Sequence, residues 1–146
     1  MTVRPATGLD EAAMIGAWVA AQGARGLPPS KARQSRVRAK LREPLALGLV
    51  SGDPVVGMLL AEPWRSPEGR LVGGVLHLSM LFVAPASQRA GHGTALVTAL
   101  LARYPQVRVW SRDAVGFYEG LGFTRTGAES DVGVELESPA LQALRP

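Results

Sequence analysis

The most informative segment of the chain reads LFVAPASQRAGHGTAL and runs from Leu81 to Leu96. It begins as an apolar strand, continues into a loop with glycines at positions 91 and 93, and ends as the start of a helix. The first N–H groups of a helix have no partner within the helix and carry partial positive charge. A glycine there lets the backbone approach a ligand because no Cβ intervenes. This order predicts a phosphate site made of main-chain N–H groups, although tight packing of a helix on a strand explains the same glycines.

The patterns on either side of this segment predict a mixed α/β domain with a central sheet. Apolar or alternating runs predict strands over residues 3–6, 45–50, 55–61, 75–83, 107–110, 123–126 and 132–137. Apolar positions at helical spacing predict one helix from the capping residue Asp10 to about 23. The capping residue Ser30 is expected to begin a second, basic helix that ends near 43–44, where a proline follows. Two more helices are predicted over residues 91–103 and 113–120. The final strand, 132–137, is expected to leave an exposed edge through which two copies of the chain can pair.

Two motifs resemble those of the GNAT N-acetyltransferase superfamily. Gln88-x-x-Gly91-x-Gly93 matches the Gln/Arg-x-x-Gly-x-Gly/Ala signature of that family, and as in the family it follows a strand that ends in Val83-x-Pro85. Downstream, AVGFYEGLGF at 114–123 resembles the family's Ala-x-x-Phe-Tyr-x-x-x-Gly-Phe segment. The resemblance covers nearly the whole chain because the element order also fits. It implies the GNAT acyl-CoA N-acyltransferase fold, an α/β fold whose mixed central sheet is flanked by helices, in one domain spanning 1–146.

The resemblance also implies a donor and an acceptor: acetyl-CoA, and a primary amine on a small molecule or a peptide. It implies that the pantetheine arm of the coenzyme pairs like an added strand with the main chain of Leu81, Phe82 and Val83. The residues that it places around the pyrophosphate are Gln88, Arg89, Ala90, Gly91, His92, Gly93 and Thr94. Among these, Arg89 is suited to phosphate as a fork donor, and His92 is expected to face solvent or the coenzyme.

The chain departs from the family pattern at two positions. Many members carry an asparagine that contacts the coenzyme arm six residues before the phenylalanine of the Phe-Tyr pair, and here that position is Ser111. Serine can still form one hydrogen bond there, so Ser111 and Phe117 are expected near the coenzyme. The basic residue that usually precedes the first glycine of the signature is Ala90 in this chain, which removes one charge contact.

Amide formation from a thioester requires removal of a proton from the amine, donors for the oxyanion and a proton for the departing thiolate. His77 stands eleven residues before Gln88, where some family members place a catalytic glutamate, and it is the candidate base; the alternative is an inert core histidine. Tyr118 occupies the family's tyrosine position and is the candidate acid, the alternative being an aromatic pair with Phe117. The N–H of Val83 is a candidate oxyanion donor. Direct transfer in a ternary complex is expected, with no metal.

Three further residues border the expected acceptor site. Trp18 lies on the first predicted helix, and the region between the first two helices commonly borders the acceptor site in this family, although packing is the alternative explanation of this tryptophan. Glu135 and Glu137 lie on the last predicted strand, where a carboxylate can orient an amine or simply face solvent.

Composition excludes several other classes of protein. The chain has 146 residues, of which 47% are hydrophobic, so it is large enough for one folded domain and is not of disordered composition. It contains no cysteine, which excludes disulfides, thiolate metal sites and cysteine nucleophiles and agrees with a cytoplasmic protein. It has no apolar run of about twenty residues, so no membrane span is expected. The start of the chain lacks the layout of a secretory signal.

The net charge of +4 is concentrated in one predicted helix. Its basic residues are Lys31, Arg33, Arg36, Arg38, Lys40 and Arg42. At about 100° per residue they divide between opposite faces, whereas a helix that binds nucleic acid would gather them on one face. A nucleic-acid-binding protein is therefore the less favoured alternative, and a GNAT domain that binds coenzyme A without catalysis is the other alternative. A solvated helix is expected, the alternative being a helix that attracts an anionic substrate or the coenzyme.

Overall fold

In the computed structural model, which describes residues 1–146, seven strands form one mixed sheet. The strands are β1 (Val3–Pro5), β2 (Leu47–Ser51), β3 (Gly57–Arg65), β4 (Leu71–Val83), β5 (Val107–Ser111), β6 (Thr124–Ser130) and β7 (Gly133–Glu137). They lie in the order β1-β2-β3-β4-β5-β7-β6. The β4–β5 pair is parallel, and the β1–β2, β2–β3, β5–β7 and β7–β6 pairs are antiparallel. The predicted α/β class and central mixed sheet are confirmed.

Five helices connect and follow the strands: α1 (Glu11–Ala24), α2 (Lys31–Leu41), α3 (His92–Arg103), α4 (Val115–Gly120) and α5 (Pro139–Gln142). The first four were predicted, and the Ser30 cap is confirmed because its Oγ accepts a hydrogen bond from the backbone N–H of Arg33 at 3.2 Å. The four-residue α5 was missed because it is too short to show a periodic pattern. None of the helices is long and apolar enough to cross a membrane.

The chain divides into two units, each made of two segments. The first comprises Met1–Ala61 and Met80–Ala99, and the second comprises Glu62–Ser79 and Leu100–Pro146. In the first unit, the apolar side of α1 packs on β2 and β3, so that Trp18 is only 2% exposed within a core that includes Val50 and Leu60. In the second unit, the buried residues include Val107, Val109, Tyr118, Phe123 and Leu136. Trp18 is therefore a packing residue, which was the second of the two interpretations of this position.

The prediction that the Asp10 side chain caps α1 is wrong. A short 3₁₀ turn, Gly8–Asp10, precedes α1, and it is Thr7 that caps this turn. The Asp10 carboxylate accepts hydrogen bonds from the Thr7 backbone N–H at 2.8 Å and from the Arg4 guanidinium at 2.7 and 2.8 Å. The Arg4 hydrogen bonds, followed by that from Thr7, hold the pKa of Asp10 well below its usual range. A local capping preference misses this because the decisive cation lies six residues earlier, on β1.

The prediction that residues 132–137 form an exposed edge is also wrong. β7 is inserted between β5 and β6, and its residues pair with both neighbours. Glu135 and Glu137 are only 4% and 3% exposed, and they form ion pairs with Arg108 and Arg145 respectively. A strand bearing two glutamates resembles a solvated edge in the sequence because the arginines that neutralise them lie outside the strand, one on β5 and one after α5. The edges of the sheet are β1 and β6, and pairing of two copies stays a prediction.

Candidate active site

The loop between β4 and α3 has an uncommon backbone conformation. A 3₁₀ turn spans Pro85–Ser87, and φ is then +66° at Arg89 and +88° at Gly91. A non-glycine residue with positive φ is uncommon, and holding it there costs of order 1–3 kcal/mol. Changes of backbone handedness in a loop can turn neighbouring N–H groups to the same side, which is the geometry of an anion-binding concavity. Whether this loop holds a phosphate stays a prediction.

The start of α3 supplies further backbone donors. Ala95 N–H donates to Gly91 O at 3.0 Å and closes the first turn, so the N–H groups of His92, Gly93 and Thr94 precede the first such hydrogen bond of the helix. The first turn of α3 contains no acidic side chain that would neutralise the positive end of the helix dipole. Gly91 and Thr94 are exposed, so an anion can approach this end of the helix.

The side chains of the loop have different roles. Gln88 donates from Nε2 to Val83 O at 3.1 Å and so closes the loop onto the end of β4. The Arg89 and Ala90 residues are exposed, and residues 81–83 are half-buried at the end of β4. Of the loop side chains, Arg89 is therefore the exposed cation that can contact a bound phosphate.

The imidazole of His92 is turned toward β2. Its Nδ1 lies 3.0 Å from the Oγ of Ser51, the last residue of that strand. The sequence indicated only that His92 would face solvent or the coenzyme, and it carried no signal for a contact with Ser51, which lies forty-one positions earlier.

In the second unit, Tyr118 lies in an aromatic cluster. Its ring is 5.1 Å from that of Phe117, at an interplanar angle of 74°, and 5.4 Å from that of Phe123. Tyr118 is only 4% exposed, whereas Phe117 is half-buried. Burial raises the pKa of the Tyr118 phenol above its usual value, because desolvation disfavours the phenolate. The phenol therefore keeps its proton across the physiological pH range.

Ser111 ends β5 and is largely buried, with 8% of its surface exposed. Its Oγ accepts a hydrogen bond from the backbone N–H of Ala114 at 3.1 Å, immediately before α4 begins at Val115. The hydroxyl thus supports the start of the helix that carries Phe117 and Tyr118, a role that the sequence did not indicate.

His77 is half-buried on β4, where the parallel register pairs it with Arg108 on β5. The Arg108 guanidinium forms an ion pair with Glu135 and lies 4.0 Å from the centroid of the Trp64 ring. Its Nε is buried without a hydrogen-bond partner. Burial lowers the pKa of Arg108, while the negative charge of Glu137 opposes that shift. His77 therefore neighbours a buried, charged cluster.

Sequence reasoning missed Arg108 as part of this region. The available signal was a single cation inside the alternating strand VRVW, together with two glutamates at alternating positions of a later strand. Complementary charges on two strands indicate pairing only once those strands are known to be neighbours.

The remaining polar groups of β3 and β4 offer no metal site. Ser79 Oγ donates to Glu62 Oε2 at 2.5 Å. No group of three or more histidine, cysteine, aspartate or glutamate side chains is arranged to hold a metal ion.

Comparison with known proteins shows which family the chain belongs to. The sequence profile described as "Acetyltransferase (GNAT) domain" matches residues 28–133. The chain therefore belongs to the GNAT acetyltransferase family. No curated protein sequence matches it.

Solved GNAT structures have the same fold. An aminoglycoside 6'-N-acetyltransferase complexed with coenzyme A superposes on this chain with a TM-score of 0.74 and a sequence identity of 14%. The match covers 94% of this chain and 96% of that enzyme's chain. A GNAT family acetyltransferase from Brucella melitensis in complex with acetyl-CoA has a TM-score of 0.70 and 23% identity, covering 95% and 96%. The ribosomal-protein-S18-alanine N-acetyltransferase from Escherichia coli has a TM-score of 0.69 and 17% identity, covering 94% and 92%. At these identities the similarity establishes the fold alone.

Gly91→Val tests the loop. Valine at a φ of +88° is strained, so the loop must move and its N–H groups must turn. We expect the dissociation constant for coenzyme A, measured by calorimetry, to rise at least about tenfold, a loss of roughly 1.4 kcal/mol. The matched control is Gly69→Val in the β3–β4 turn, where φ is +81° and an added Cβ meets nothing within 4 Å. A folded Gly91→Val protein with wild-type affinity would remove the loop from the site.

Proposed function

We propose that the chain transfers the acetyl group of acetyl-CoA to a primary amine, with the loop at 88–94 holding the coenzyme pyrophosphate. The observation that carries this proposal is the group of backbone N–H donors that precede the first hydrogen bond of α3, together with the positive φ of Arg89 and Gly91 just before them. Membership of the GNAT family supports it. Two of the structures with the same fold were solved with coenzyme A or acetyl-CoA, which supports that donor.

The residues of the loop fit a pyrophosphate. Main-chain N–H groups supply donors that need no side-chain ordering, the helix end supplies partial positive charge, and Arg89 supplies a full positive charge. In this proposal the main chain of residues 81–83 pairs with the pantetheine arm, and Ser111 and Phe117 contribute to the coenzyme site.

The proposed reaction is a direct attack in a ternary complex. The amine nitrogen attacks the thioester carbon, so that the N–C bond forms as the C–S bond breaks. The nitrogen loses one proton to a base, and the coenzyme departs as a thiolate that takes up one proton from water. The carbonyl oxygen carries negative charge on the way, and the N–H of Val83 is the proposed donor for it. The products are an acetylated amine and free coenzyme A.

A free-thiol assay tests this function directly. Acetyl-CoA is offered with a panel of amines: aminoglycosides and an N-terminal alanine peptide, which are the kinds of acceptor named for the similar structures, and a lysine peptide and a polyamine. We expect one class to release thiol and to yield a product heavier by one acetyl group. A chain that binds coenzyme A but acetylates none of these classes would instead favour the non-catalytic GNAT domain.

Tyr118 is the proposed donor to the departing sulfur. Because burial raises its pKa, the phenolate is a stronger base than a thiolate, whose thiol has an ordinary pKa near 8.5. The phenol therefore stabilises the developing thiolate mainly by donating a hydrogen bond, while the proton itself stays on the tyrosine. Its contribution should be constant up to about pH 10.

Tyr118→Phe removes this hydroxyl and keeps the ring that packs against Phe117 and Phe123. We expect kcat to fall by about 10²–10³-fold, as for loss of other donors to developing charge, with nearly unchanged affinity for the coenzyme. Steady-state kinetics measures this. Tyr104→Phe is the control, because Tyr104 is the other tyrosine of the chain and lies on the surface. Wild-type kcat in folded Tyr118→Phe would end the proposed role.

His77 is the proposed base. It is a half-buried histidine on β4, next to a fixed cation at Arg108. His77→Ala should lower kcat/KM by about 10²-fold or more at pH 7 and less at pH 9, where more of the acceptor amine is already unprotonated. His77→Gln is the matched variant, since glutamine keeps a hydrogen-bonding side chain but takes up no proton. If glutamine restores activity, or if the loss is equal at both pH values, His77 acts by packing or hydrogen bonding.

A further inference from the structure

Ser51 is a fully buried polar residue to which neither the fold nor the proposed reaction has so far given a role. It is the last residue of β2, has no exposed surface, and places its Oγ 3.0 Å from Nδ1 of His92. A buried hydroxyl without a partner is destabilising, so the contact with the imidazole accounts for a polar side chain at this position. His92 is the first residue of α3, so the contact joins the end of β2 to the start of that helix.

A glycine opposite Ser51 makes room for this contact. Ser51 pairs with Gly57 in the β2–β3 register. A Cβ at position 57 would overlap Ser51 Oγ and would lie 3.2 Å from Cδ1 of Leu96 and 3.6 Å from Cβ of His92. The serine hydroxyl, the missing side chain at 57 and the first turn of α3 therefore fit together, and a larger residue at 57 would push the helix start away from β2.

The loop is held on both sides. On its β4 side, the backbone N–H of Ala84 donates to Val56 O, and Gln88 closes back on the end of the strand. Residues 88–91 are all exposed, and on the α3 side the imidazole of His92 contacts β2. This contact is therefore placed to influence where the N–H groups at 92–94 point.

We propose that Ser51 is a positioning residue for the coenzyme loop and that it acts through His92. This inference rests on the proposed binding of the coenzyme pyrophosphate at that loop. Donors that are already held in place bind an anion more tightly than donors that must be ordered at the moment of binding. Ser51 itself touches no coenzyme in this account; it keeps the backbone at 92–94 in its binding geometry.

Either tautomer of the imidazole preserves the contact, since a serine hydroxyl can accept from Nδ1–H or donate to bare Nδ1. Variants that keep or remove this hydrogen bond can therefore be chosen without knowing the tautomer. His92→Asn keeps a polar group near the position of Nδ1 and retains the hydrogen bond, whereas His92→Leu fills space without it. Ser51→Ala removes the partner. Ser138→Ala is the matched control, because Ser138 is also fully buried and its Oγ bonds the Val107 N–H and Pro105 O instead.

The first measurement is the affinity for coenzyme A by calorimetry. We expect Ser51→Ala and His92→Leu each to raise the dissociation constant about three- to tenfold, which is the range of one hydrogen bond. The dissociation constant of the Ser51→Ala, His92→Leu double variant should not exceed that of the more affected single variant, because both substitutions remove the same contact. His92→Asn should bind coenzyme A more tightly than His92→Leu, and Ser138→Ala should lose thermal stability but no affinity. Wild-type affinity in Ser51→Ala, or additive losses in the double variant, would overturn the proposal.

The second measurement is made without any coenzyme. The Ala95 N–H, which donates to Gly91 O, reports the opening of the first turn of α3 by hydrogen exchange. Ser51→Ala should speed its exchange about three- to tenfold, and Ser138→Ala should not. This separates two failures: if the wild-type chain binds no coenzyme but the exchange result holds, the proposed function is wrong and the contact still positions the loop. Unchanged exchange at Ala95 in Ser51→Ala would contradict the positioning role whatever the chain binds.

Discussion

The unpaired N–H groups at the start of α3 are the feature on which the proposed function depends. Every helix begins with such groups, and the position of this helix is held by Leu96 and Val97, which are completely buried one turn later. The chain enters the helix through Arg89 and Gly91, both of which have positive φ. The proposed anion site is therefore a consequence of how the backbone is routed. Side chains such as Ser51 and His92 act by holding that route in place.

The chemistry proposed for the second unit lies on side chains. Tyr118 owes its raised pKa to burial among aromatic rings, and His77 neighbours an arginine that forms an ion pair with the buried Glu135. Removing either partner of a buried ion pair leaves an uncompensated charge, so Arg108 and Glu135 constrain which substitutions this region tolerates. A site made of main-chain N–H groups suits a coenzyme shared by a whole family, because those groups are present whatever side chains a member carries. Side-chain chemistry can vary without disturbing that site, which agrees with the different acceptors named for proteins of the same fold.

Local patterns predicted most of this molecule. The apolar spacing of α3, the glycines at 91 and 93 and the Ser30 cap are each visible within one or two turns of chain, and all three gave the right element. The errors came from contacts between residues on different elements of the structure. Asp10 looked like a helix cap because its partner Arg4 lies on another element, and β7 looked like an edge because its arginines lie elsewhere in the chain. No local sequence pattern indicated the contact between His92 and Ser51, since it joins positions forty-one residues apart.

The most direct test of the central claim compares two ligands by amide ¹H–¹⁵N spectroscopy. Coenzyme A carries the pyrophosphate, whereas pantetheine has the same thiol arm without it. If the backbone of the loop holds the pyrophosphate, coenzyme A will strongly shift the amide signals of residues 89–94 and pantetheine will leave them nearly unchanged. If coenzyme A binds and these signals stay where they are in the free protein, the start of α3 does not hold the pyrophosphate and the account is wrong.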